Sequence, residues 1–101
     1  AAICWLLGGN YEQIGASITN TLGTISGMVC DGAKSSCSGK ISSAVETALL
    51  SVSMAMKDRS YQEGEGLVSS DPEETIKAYG KMAKEGMKGT DVKIIQMMIE
   101  K

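Results

Sequence analysis

Ser38-Gly-Lys-Ile41-Ser-Ser-Ala44-Val45-Glu46-Thr-Ala48-Leu49-Leu-Ser-Val52-Ser-Met-Ala55-Met56 is the most apolar stretch of the chain. Its apolar residues recur at intervals of three and four, the spacing that one face of a helix requires. Only Lys40 and Glu46 carry charge before Lys57. A helix so apolar is normally covered on most sides, and the sequence predicts that here. The stretch is too short and too rich in serine to span a membrane.

Working outward, the neighbours also read as helices. Asn10 is a good N-cap and Gln13 stands where it closes a capping box. Ile14, Ile18, Leu22 and Ile25 then follow at helical spacing, while Gly23 and Gly27 weaken the end of that helix. Residues 27–36 read as a loop. Upstream, Ile3-Cys-Trp5-Leu-Leu7 runs into Gly8-Gly9, the pattern of last helical turns closed by a left-handed glycine. Downstream, residues 57–70 turn polar around Gly64 and Gly66. Asp71-Pro72-Glu73-Glu74 is then a helix start, with Asp71 as cap, Pro72 in the first turn and Glu74 completing a box. That helix is expected to run to about Lys84, where Gly86 and Gly89 interrupt. Thr90 or Asp91 would cap a last helix carrying Val92, Ile94, Ile95, Met98 and Ile99. No strand pattern and no repeat emerges. The fold expected is all-α, with four or five helices.

Composition narrows the function. Twelve acids against ten bases leave a net charge of −2, which gives no reason to expect nucleic acid or an anionic membrane as partner. The chain has no histidine, so acid–base, triad or metal chemistry that needs His is excluded within it. No basic flank precedes the apolar start, so a signal peptide is not expected. An opening inside an apolar helix suggests a piece of a larger chain, with Trp5, Leu6 and Leu7 asking for a partner surface.

Chemistry concentrates in Gly27-Met-Val-Cys30-Asp31-Gly32-Ala33-Lys34-Ser-Ser-Cys37-Ser-Gly-Lys40. A phosphate-binding loop fails on spacing, because Ala33 separates Gly32 from Lys34 and no strand precedes it. A structural zinc site fails on ligand number, with three cysteines and no histidine. Three readings stay open for Cys30 and Cys37. They are two small buried residues, a disulfide in an oxidising compartment, or thiolate ligands completed from elsewhere. Cys37, at the entry of the apolar helix, stands where unpaired backbone N–H groups favour negative sulfur.

The same string carries a resemblance. Leu6-Leu7-Gly8-Gly9-Asn10, the Cys-Asp-Gly-Ala-Lys-x-x-Cys run at 30–37 with Ser38-Gly-Lys-Ile41, and Gly86-Met-x-x-Thr90-Asp91 resemble the C-terminal part of the L-cysteine desulfidase family. That family is related to the iron–sulfur L-serine dehydratase α chain. The likeness runs along nearly all 101 residues in order, and the cysteine string is its specific element.

The resemblance implies a [4Fe–4S] enzyme in which three cysteines hold the cluster and one iron stays open. Elimination of sulfide or water from a small amino acid would give an enamine, then pyruvate and ammonia, without pyridoxal phosphate. By motif match Cys30 and Cys37 are the metal and cofactor ligands. The third ligand and the base would lie upstream, outside this chain. Asp31, Gly32 and Ala33 would line the loop beside the cluster, where backbone N–H groups can meet a substrate carboxylate. Their plain alternative is a turn, with Asp31 capping and Gly32 at positive φ. Lys34 reads as solvated.

Cys4 reads as a packed helix residue, with a role as third ligand as its alternative. The chain is thus expected to be a cytoplasmic C-terminal segment, inactive and without its cluster when isolated. Its partners would be the rest of the parent polypeptide or an N-terminal subunit, and a homo-oligomer is compatible with it. The competing expectation is a non-catalytic helical assembly module with inert buried cysteines.

Overall fold

Asn10 starts the central helix as its chemistry dictates. In the computed structural model, which describes residues 1–29 and 34–100, its Oδ1 accepts from the Gln13 backbone N–H at 2.8 Å. Gln13 Oε1 in turn accepts from the Asn10 N–H at 2.9 Å. This closed box opens α2 (Tyr11–Ile25). Ahead of it lies the short α1 (Ala2–Leu6), and after it come α3 (Ser35–Met56), α4 (Pro72–Lys81) and α5 (Thr90–Ile99), with one π-helical turn at Met82–Gly86. The described residues contain no strand, so the chain is all-α.

Both ends of the first hairpin are stopped by backbone conformation. Gly8 sits at φ 84°, and the N–H groups of Gly8 and Gly9 donate to the carbonyls of Trp5 and Cys4. That is the paired-bond cap expected where a left-handed residue ends a helix. At the end of α3, Asp58 plays the same part at φ 56°, with Asp58 and Arg59 N–H donating to Ala55 and Met54. Aspartate is one of the few residues besides glycine that visits this region readily. Here Asp58 Oδ1 accepts from Gln13 Nε2 at 3.3 Å, which ties the end of α3 to the start of α2.

α2 packs against α3 and α4, while α1 bridges α2 and α3. The covered side of α3 carries Ala44, Ala48, Ser51, Val52 and Ala55, small residues that allow close approach. The expectation that this helix is covered on most sides is not met. Ile41, Val45, Leu49 and Leu50 are each at least half exposed. Among the described residues, α1 and α2 are the helices that reach α3, and they cover one side of it. The helix also begins three residues earlier than the apolar pattern suggests, with Ser35 and Ser36 in its first turn.

The segment between α3 and α4 is held by a buried asparagine. Asn20 Nδ2 donates to the carbonyls of Ser51 and Arg59, and its Oδ1 accepts from Tyr61 N–H at 3.0 Å. Tyr61 lays its ring against Gly23, where a Cβ would come within 2.8 Å of it. Its hydroxyl lies 3.0 Å from Thr24 Oγ1.

α4 opens as its sequence predicts, with Asp71 Oδ1 accepting from Glu73 N–H and Pro72 in the first turn. Glu74 does not complete the box; it pairs with Lys77 at 3.3 Å. An N-cap oxygen meets the N–H of the second or third helical residue, and Asp71 takes the second, while Pro72 fills the first position where an N–H would go unused. The helix yields to the π-helical turn before Lys84 rather than running to it. For α5 the N-cap is Gly89, with no side-chain cap. Neither Thr90 nor Asp91 caps, because both already lie inside the first turn. Among the described residues α5 contacts no other helix.

Candidate functional site

Cys37 occupies the third helical position of α3, and its N–H donates to the Lys34 carbonyl at 2.9 Å. It is half-buried. The loop that brings the chain from α2 to this point leaves α2 after Ile25, with Met28 N–H donating back to the Ile25 carbonyl. The site therefore sits at the closed end of the α2–α3 hairpin, in the opening turn of the longest helix. Lys34 is exposed, and Lys40, one turn beyond Cys37, is half-buried. Four of the expected site residues, Cys30, Asp31, Gly32 and Ala33, lie outside the described residues.

Cys4 belongs elsewhere. It is fully buried, and its thiol meets Met56 Sδ at 3.9 Å, in the last turn of α3. A helix rises about 1.5 Å per residue, so the span from Cys37 to Met56 is roughly 28 Å. A cluster measures only a few ångströms across. Cys4 is a packing residue, as its apolar neighbours predict. Gly9 makes room for it, since a Cβ there would stand 2.5 Å from Cys4 Sγ.

A cleft of about 710 Å³ lies between the first two-thirds of α2, residues 60–63 and the start of α4. Glu12, Glu63, Asp71 and Glu73 rim it, with no lysine or arginine in its lining. It does not reach Cys37. No sequence signal foretold it, because its walls come from segments some 40–60 residues apart. Among the described residues no three cysteine or carboxylate side chains converge in a metal-binding group. No helix among them is long and apolar enough to cross a membrane.

The decisive comparison is with a family model. The model for the serine dehydratase alpha chain matches residues 1–96. The chain belongs to the serine dehydratase alpha-chain family. Its similar relatives include proteins named only as UPF0597. One from Treponema denticola is 47% identical over 99% of this chain, and one from Aeromonas hydrophila is 46% identical over 97%. A third, from Finegoldia magna, is 45% identical over the full chain. These matches occupy 23%, 22% and 24% of the relatives' own lengths, so the alpha-chain segment in hand spans under a quarter of the proteins it resembles. No solved structure matches the chain.

Proposed function

We propose that this alpha-chain segment supplies two cysteine ligands, Cys30 and Cys37, to an iron–sulfur cluster in a longer lyase that eliminates sulfide or water from L-cysteine or L-serine. The observation that carries the reading is the position of Cys37. The second cysteine of the specific Cys-Asp-Gly-Ala-Lys-x-x-Cys string stands in the opening turn of α3, directly after the hairpin loop. The donor chemistry is consistent with such a cluster, which thiolates hold. The set is incomplete within these residues, so a third thiolate comes from the rest of the polypeptide.

When bound, a cluster with one open iron supplies Lewis acidity toward the β-leaving group. This chain's own contribution is to hold. α3 is anchored at its far end by Asn20 and by the Asp58–Gln13 bond, which fixes the helix that carries Cys37. In this reading Asp31, Gly32 and Ala33 are the residues whose backbone N–H groups would meet a substrate carboxylate. The base that removes the α-proton lies outside the chain, so the 101 residues alone release neither sulfide nor pyruvate. A reducing cytoplasm suits thiolate ligands of this kind.

The test is iron and acid-labile sulfide in the full-length protein purified without oxygen. About four irons per chain are expected, lost in both Cys30→Ala and Cys37→Ala. Cys4→Ala retains them. An iron-free wild type with both thiols open to alkylation would instead make the segment a helical assembly module. Pyruvate release from cysteine and from serine then separates the two branches of the family.

A further inference from the structure

The molecule exposes more surface than its size warrants. Its accessible area is 7101 Å², against about 5,500 Å² expected for a folded monomer of 10.6 kDa. Its radius of gyration is 15.5 Å, against about 13 Å for a compact chain of this length. The excess of about 1,600 Å² is on the order of what one partner covers in an obligate interface. Part of it belongs to α5. Another part has a definite shape.

Ile41, Val45 and Leu49 follow one another at four-residue intervals along a single flank of α3, where such residues stand one above the next. They are 68%, 51% and 52% exposed, whereas Val52, one turn on, is 3% exposed. The same flank ends at Met56, and there α1 has already covered it through Cys4. α1 in turn presents Trp5, Leu6 and Leu7 outward, each more than 60% exposed. The ridge on α3 and the outward residues of α1 are both apolar and exposed, and α1 packs against α3.

We infer that this α1–α3 surface is an internal interface, closed in the full-length protein by a segment of the same polypeptide outside these 101 residues. The occupant follows from length. The curated relatives extend this sequence about fourfold, so more than three-quarters of such a protein lies outside the described helices. Exposed apolar residues grouped along one flank mark an interaction surface, and permanently buried interfaces are the more apolar ones. The inference rests on the reading of the chain as a segment of a longer protein, and not on the cluster.

Hydroxyl-radical footprinting of the full-length protein, read residue by residue against the urea-unfolded form, tests it. Ile41, Val45 and Leu49 should oxidise as slowly as Val52, severalfold more slowly than their exposure in this structure implies. Oxidation of the three at the rate of open surface residues overturns the inference. So does protection that disappears when dilution, followed by sedimentation, turns an oligomer into monomers, because the covering surface would then be a second copy. A Val45→Asp variant gives a second reading. A lowered melting temperature with unchanged oligomeric state supports the internal interface, and an unchanged melting temperature argues against it. Neither measurement needs iron or turnover, so loss of the cluster proposal leaves this one standing.

Discussion

Asn20 uses its side chain on three backbone groups: the carbonyl of Ser51 inside α3, and the Arg59 carbonyl and Tyr61 N–H, which lie beyond its end. Removing it strands polar groups at the joint between α3 and the following segment, and each buried unpaired group costs about 1–3 kcal/mol. Asn20→Ala should therefore lower the stability of the full-length protein by about 2–3 kcal/mol, read from urea unfolding. Asn20→Asp should be no better, because a carboxylate would face two carbonyl oxygens. A loss below about 0.5 kcal/mol for Ala, the scale of an ordinary surface change, would contradict the role. Asn10 and Asn20 show what the sequence can reveal. The first bonds to a residue three positions away, and its cap was legible from Gln13 alone. The second bonds to partners 31, 39 and 41 residues away, and nothing near it in sequence marks them. Cys37 falls between these cases. Its residue type and place at a helix entry were readable, but the separation of Cys4 from it required the packing of α1 on the far end of α3.

The joint between α2 and α4 is set by a glycine. A Cβ on Gly15 would stand 2.8 Å from Pro72 Cγ, an atom in a ring that cannot rotate away. Gly80, inside α4, has nothing within 4 Å of its would-be Cβ. Both lie in helices, where alanine is intrinsically better than glycine by about 1 kcal/mol. Gly80→Ala should realise most of that gain. Gly15→Ala should lose it and more, since overpacking costs about 1–3 kcal/mol. Thermal unfolding of the two variants should move the melting temperature in opposite directions. A rise in both would mean that α4 docks on α2 less tightly than the geometry requires. Periodicity and capping residues carry most elements into view, because they are local. They do not foretell that α3 begins at Ser35, that a π-helical turn follows Lys81, or that α5 starts on an uncapped glycine. Each of those boundaries falls among serines or lysines that tolerate helix and loop alike, so the chain's wider geometry decides.

At the scale of the whole molecule, helix α5 is the element whose stability must come from elsewhere. It has ten residues, no side-chain cap and no contact with another helix among the described residues. Isolated helices shorter than about 12–15 residues are marginal in water, yet Val92, Ile95 and Ile99 repeat at three and four as on a helix built to pack. The apolar repeat that predicted α5 thus finds no helix to cover it among the described residues, and the exposed ridge of α3 is in the same position. The two forms of the protein should then differ in hydrogen exchange. In the 101-residue chain alone, the amides of residues 94–99 should exchange near the rate of an unstructured peptide, while those at the covered end of α3, residues 51–56, remain protected. In the full-length protein both sets should be slow, because a helix held by tertiary packing opens only with its surroundings. Equal protection of α5 and α3 in the short chain would show that α5 folds back onto its own segment, and the extended arrangement of the five helices would be wrong.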